Sequence, residues 1–121
     1  MSFKNLLAYQ KGFDLAMEMF EVSKNFPKEE TYSLTDQIRR ASRSTCANIA
    51  EAYRKRNYPK HFISKLTDSD SENSETQVWI DFAQSCKYIT LQQKETLINK
   101  SIEVGKLINF MTQNPEKFYV K

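Results

Sequence analysis

The sequence predicts an all-α protein, an up-down-up-down antiparallel four-helix bundle in a single domain spanning residues 1–121. Two observations carry this. The chain has only 2 glycines and 3 prolines, so it has few places to turn and its elements must be long. Its apolar residues recur at steps of three and four through four successive stretches, the period of a helix with one buried face. Pro27, Pro59 and Pro115 fall near the seams between stretches, where proline does least damage to a helix.

The first helix is expected over about 4–25, with Leu6, Tyr9, Phe13, Ala16, Met17 and Phe20 as its inward stripe. "NFPKEETYSL" then connects it to a second helix over about 35–56, whose inward stripe is Leu34, Ile38, Ala41, Thr45, Ile49 and Ala52. Asn57 is placed to cap a third helix over about 59–87, with Pro59 in its first turn. The stripe of this helix runs Phe62, Leu66, Ser69, Asn73, Thr76, Ile80 and Ala83, and so is polar in the middle, where simple packing would place Leu or Ile. Thr90 and Gln93 have the spacing of a capping box for the fourth helix, about 91–113. Leu97, Ile98, Val104, Leu107, Ile108 and Met111 form its stripe, and Asn114-Pro115 stops it.

No run of apolar residues is long enough to span a membrane, and "MSFKNLLAYQKGF" is too polar for a secretory signal. Cys46 and Cys86 have no close cysteine partner and read as free thiols. A cytoplasmic location is expected. No cofactor is implied. His61 has no Cys or carboxylate at metal-ligand spacing, and "ENSE" lacks the histidine of di-metal bundle motifs and has no second copy, so neither a metal site nor an enzyme is expected.

Charge is distributed unevenly. Arg39, Arg43, Arg54, Lys55, Arg56 and Lys60 belong to a basic segment that holds one acid, Glu51. They are the candidate contacts to nucleic-acid phosphates. Between 66 and 86 lie only acids: Asp68, Asp70, Glu72, Glu75 and Asp81. On the second helix Gln37, Arg40, Ser44, Asn48 and Glu51 recur at helical spacing beside the apolar stripe. Lysine is absent from that row, and Gln, Ser and Asn suit fixed hydrogen bonds. A structural network of Gln37, Arg40, Asn48 and Glu51 with Glu72 and Glu75 is therefore expected, with Arg40 gripping one of the two glutamates. The row lies either inside the bundle or at a subunit contact. Trp79 and the tail residues Phe118 and Tyr119, with Val120 beyond them, are candidate oligomer contacts, the apolar tail docking either on its own bundle or, as favoured here, on a neighbouring subunit.

"FPKEETYSLTDQIRRAS", "NIAEAYRK" and "HFISKLTDSDSENSETQVWIDFAQSCKYI", in this order, resemble the bacterial four-helix-bundle family whose founding members are encoded within intervening sequences of 23S rRNA genes. "FKNLLAYQKGFDLAMEMF" is similar to that family's opening helix, so the resemblance covers almost the whole chain. It implies a cyclic, barrel-like pentamer. It also implies kinship with the accessory variability determinant of diversity-generating retroelements, whose basic pentamer binds a reverse transcriptase and nucleic acid. By matching positions, Gln37, Arg39, Arg40, Asn48 and Glu51 carry the motif of the family's second helix, and Glu75 the glutamate of its third. Ala52 stands where the usual motif has glycine, and "SDSENSE" replaces a more apolar stretch. Two functions follow as expectations. One is a homo-oligomer binding structured RNA or DNA through a repeated basic surface. The other is a scaffold or accessory subunit for a protein partner, without nucleic-acid contact. Neither involves a membrane.

Overall fold

The computed structural model describes residues 2–119. Four helices account for most of them: α1 (Leu7–Ser23), α2 (Leu34–Arg54), α3 (Pro59–Ser85) and α4 (Leu91–Gln113). Each packs against the next and α4 closes back on α1, which is the up-down-up-down bundle. With 27 residues, α3 is about 40 Å long.

The boundaries differ from expectation at several ends, and α1 and α2 each stop two residues early, at Ser23 and Arg54. Residues Phe3–Asn5 form a separate 3-10 turn closed by a Ser2–Asn5 capping box, and α1 starts only after extended Leu6. The N-cap of α3 is Tyr58 rather than Asn57, and the Tyr58 side chain makes no capping bond. At its other end α3 stops at Ser85. There Lys87 takes a left-handed conformation (φ 64°), and the Tyr88 and Lys87 amides donate back to Ala83 O and Gln84 O, each at 2.9 Å. That is a Schellman end with lysine where glycine is commoner. The Thr90–Gln93 capping box of α4 forms as expected.

The inward stripes of α2 and α3 are buried as the spacing predicts, and α2 also buries Ser42, Cys46 and Tyr53. In α4 Leu97, Val104, Ile108 and Met111 are buried and Ile98 and Leu107 are half-buried. Helix α1 is rotated from the expected register. Ala8, Gly12, Leu15, Ala16 and Met19 face inward, while Phe13 and Met17 remain 48% and 45% exposed. The cause is close approach. A Cβ on Gly12 would lie 3.1 Å from Cys46 Sγ, so α1 sits down on α2 along its small residues and turns its bulkier row outward. Burial pushes the Cys46 thiol up to about 12, which leaves it an inert packing group.

The polar middle of α3 is inside the bundle and satisfied. Ser69 Oγ donates to Thr45 O of α2 at 2.7 Å. Asn73 Nδ2 donates to Ser101 O of α4 at 2.9 Å, and Ser101 Oγ donates back to Asn73 Oδ1 at 2.9 Å. Gln77 Nε2 reaches Ser101 Oγ at 3.0 Å. At one end of the bundle, Glu30 ties the two loops together. It accepts from Ser33 Oγ and the Leu34 amide at the start of α2, and from Tyr88 Oη at 2.9 Å. These bonds hold the Glu30 carboxyl below its ordinary value, and the bond to Glu30 pushes the Tyr88 phenol up to about 12.

Candidate nucleic-acid interface

The short turn from α2 to α3 gathers four of the six candidate cations. Arg54 closes α2, Lys55 and Arg56 follow, and Lys60 sits in the first turn of α3. Arg54, Lys55 and Lys60 are exposed. Among the described residues none of the four cations enters an ion pair; the nearest carboxylate on this stretch, Glu51, is taken by Lys65 at 2.8 Å. Arg56 is fixed in place: its guanidinium lies 4.1 Å from the Tyr53 ring centroid and donates to Tyr53 O at 2.9 Å. Tyr58 is exposed beside them, its ring edge-on to His61 at 6.3 Å. The first turn of α3 contains no acid and its N-cap no side-chain bond, so the positive end of the helix dipole adds to the local field.

Arg39 and Arg43 do not join this cluster. Arg43 lies eleven residues before Arg54, about 16 Å along the helix. Both turn toward α1 and sit over the Phe20 ring, at 4.8 and 5.8 Å. Arg39 also donates to Ser23 Oγ at 2.7 Å. The expected single basic surface is thus two separate ones.

The expected network centred on Arg40 is not formed within one chain. Arg40 is exposed and pairs with Asp36, one turn back on its own helix, at 3.8 Å. It makes no ion pair with Glu72 or Glu75, though its charge still acts weakly on Glu72. Asn48 bonds to Ser44 of its own helix, at 3.0 Å to the carbonyl, and Glu51 bonds Lys65. Gln37 lines an open cavity of about 390 Å³ beside Trp79. Arg40 and Asn48 take neighbours one turn away on α2, where such pairs face each other, and only Glu51 among the α2 members named here crosses the seam, to Lys65 of α3. Glu72 and Glu75 are left side by side. Burial first, and then the Glu75 carboxylate, hold the Glu72 carboxyl above its ordinary value.

Trp79 is half-buried, donates to Glu75 Oε1 at 3.3 Å and leans on Phe82 at 5.9 Å. The tail docks on its own bundle. Phe118 sits 5.8 Å from Phe62 and 6.5 Å from Phe110, because residues Pro115–Lys117 turn the chain back over the end of α3. Tyr119 is half-buried, and Val120 lies outside the described residues. The spacing missed the outward row of α1, whose signal was the small-residue set Ala8, Gly12 and Ala16 competing for the core. Among the described residues no three His, Cys, Asp or Glu side chains gather as metal ligands, and no helix is long and apolar enough to cross a membrane.

A four-helix bundle with a basic, aromatic-edged turn at one end defines the class. Within it, the chain belongs to the 23S rRNA-intervening sequence protein family, whose model matches residues 4–110. It is similar to a protein with unknown function from the S23 ribosomal protein family of Bacteroides thetaiotaomicron VPI-5482, solved by crystallography at 1.70 Å. The two are 29% identical, the match covers 88% of this chain and 96% of that one, and the TM-score is 0.80. No curated protein matches the chain.

Proposed function

We propose that the protein is a cytoplasmic, non-enzymatic, oligomeric nucleic-acid-binding protein that holds structured RNA or DNA by its phosphates at the α2–α3 turn. The observation that carries this reading is the set Arg54, Lys55, Arg56 and Lys60 around the acid-free first turn of α3, without an ion pair among the described residues. Cations that are not consumed internally are the ones that can release counterions from a phosphate backbone. Tyr58 offers a ring at the edge of the same surface. Four cations per chain give weak binding alone. Repetition in an oligomer makes the sites act together through effective concentration.

The test is a salt titration with structured RNA and with duplex DNA, comparing the wild type with Arg54→Glu/Lys60→Glu. Both side chains are exposed, so the substitutions leave the core alone. Binding weakens steeply with salt in the wild type, and loss of two phosphate contacts makes the logarithmic slope shallower by about 2. Wild-type binding to neither ligand at about 50 mM salt removes this function. The acidic row Asp68, Glu72 and Glu75 then favours the second reading, a scaffold for a basic protein partner. Equal binding by the double variant moves the nucleic acid to another surface.

A further inference from the structure

Two apolar surfaces with opposite charge at their edges lie on different helices. Between α1 and α2 runs an open groove of about 380 Å³. Tyr9, Phe13 and Met17 wall it, and Ala16, Ala47 and Ala50 leave its floor low. Arg43 stands on its rim, exposed, with an aromatic ring beneath it and no carboxylate partner among the described residues. The outward flank of α3 presents the reverse relief. Val78 and Phe82 project as a ridge, 47% and 53% exposed, with Trp79 beside them. Glu75 stands one turn before Trp79, and Glu72 one turn before that. Those two carboxylates repel each other and have no ion-pair partner among the described residues.

We infer that the α1–α2 groove of one copy receives the Val78–Phe82 ridge of a second copy, setting Arg43 against Glu72 and Glu75 across the contact. This rests on the assembly proposed above and supplies its surfaces. The groove has the low floor that a projecting aromatic side chain needs, and the ridge has the bulk to fill it. Arg43 at the groove, and Glu72 with Glu75 at the ridge, each lack an ion pair among the described residues, and each can supply the other's partner. Groove on groove would set Arg43 against Arg43, and ridge on ridge would set Glu75 against Glu75, and both are repulsive. The contact therefore pairs unlike surfaces, groove to ridge, whether two copies exchange it reciprocally or a ring repeats it from copy to copy. A charged rim around an apolar centre is also the usual anatomy of a protein contact.

The experiment is mass by light scattering on the full chain at micromolar concentration, with helix content followed by circular dichroism. The wild type runs at a multiple of 14.2 kDa. Arg43→Glu and Glu75→Arg each weaken association by at least about tenfold and fall toward the single-chain mass. Mixing the two restores larger species, because the reversed groove of one then meets the reversed ridge of the other. The double variant Arg43→Glu/Glu75→Arg assembles on its own. A wild-type mass of 14.2 kDa overturns this contact and the assembly above together, while phosphate binding is judged separately by the salt titration. Single variants that stay assembled overturn the contact alone and leave assembly standing. Single variants that dissociate but are rescued neither by mixing nor by the double reversal also overturn it, because Arg43 and Glu75 then act at separate contacts between copies. If a reversal lowers helix content, Arg43→Gln and Glu75→Gln replace it. They weaken association in the same direction, and an unchanged mass for both overturns the contact.

Discussion

Two rows of polar residues run along this bundle at the same helical spacing, and they have opposite fates. The inner one, Ser69, Asn73, Thr76 and Ser101, is buried, and Asn73 and Ser101 bond each other from facing helices. The outer one, Gln37, Arg40, Asn48, Glu51, Glu72 and Glu75, is half-exposed to exposed, and its bonds stay mostly within helices. Charge and size account for the difference. The inner side chains are neutral and short, and each can meet its hydrogen bonds inside at little desolvation cost. The outer row carries ionised groups, for which burial needs a complete set of partners. Polar spacing alone therefore does not locate a buried network; the absence of charge does.

The largest effect expected from this contrast is at Asn73. Asn73→Ala removes the donor to Ser101 O and the acceptor for Ser101 Oγ, and leaves a small void. The unmet hydrogen bonding and the void together cost about 3 kcal/mol, measured as a lower midpoint in urea unfolding. A loss below about 0.5 kcal/mol would show that the inner row is not held by its bonds and would erase the distinction drawn here.

Gly105 sharpens the same point through the sign of an effect. A Cβ there would lie 3.3 Å from Asn73 Nδ2, which cannot move aside because Ser101 O holds it. Gly105→Ala gains up to about 1 kcal/mol of helix propensity but overpacks a pinned side chain, for a net loss of about 1 kcal/mol. In an Asn73→Ala background the obstruction is gone and Gly105→Ala becomes stabilising. The same sign in both backgrounds would mean that Asn73 is not the obstacle.

The helices and the burial of α2 and α3 were legible because in each a single stripe runs the whole length of the helix, whereas the apolar residues Val78, Trp79 and Phe82 on the flank of α3 are confined to its last turns. Phe62, Leu66, Ser69, Asn73, Thr76, Ile80 and Ala83 could face nowhere else once Phe62 and Ile80 had to be inside. Helix α1 was misread because it carries two apolar rows. Bulk suggested the row with Phe13 and Met17, whereas Gly12 against Cys46 decided for the other. That choice depends on how closely two backbones approach, a distance that no single helix encodes. The cations of the candidate site were legible as residues but not as a group. The eleven-residue separation of Arg43 and Arg54 is plain in the sequence, whereas the capture of Arg39 by Phe20 and Ser23 appears only once α1 is laid beside α2.

Smaller effects are expected on the outer row. Glu72→Gln removes a like-charge neighbour of Glu75 and stabilises the single chain at neutral pH by about 0.2–0.5 kcal/mol. The pH dependence has a definite sign. The folded state holds the Glu72 proton more tightly than the unfolded chain, so the wild type gains stability as pH falls through the folded value toward the unfolded one. The gap between Glu72→Gln and wild type should therefore narrow on acidification in thermal melts. A gap that widens would mean that a cation already neutralises Glu72.

The smallest effect is at Arg40. Its side chain is 75% exposed and pairs with Asp36, itself partly exposed, at 3.8 Å on the same helix. An exposed pair of this kind contributes at most about 0.5 kcal/mol, and that shrinks further with salt. Replacement by alanine also restores helix propensity, which offsets part of the loss. Arg40→Ala should therefore leave the unfolding midpoint of the dissociated chain within about 0.3 kcal/mol of wild type. A loss of about 3 kcal/mol or more would be that of a buried ion pair left with one partner. Arg40 would then reach Glu72 or Glu75 in solution, and the outer row would have to be moved to the inside. Melts run under dissociating and assembling conditions separate the two remaining cases. A loss confined to the assembled protein puts Arg40 at the contact between copies, whereas no loss in either leaves it to solvent.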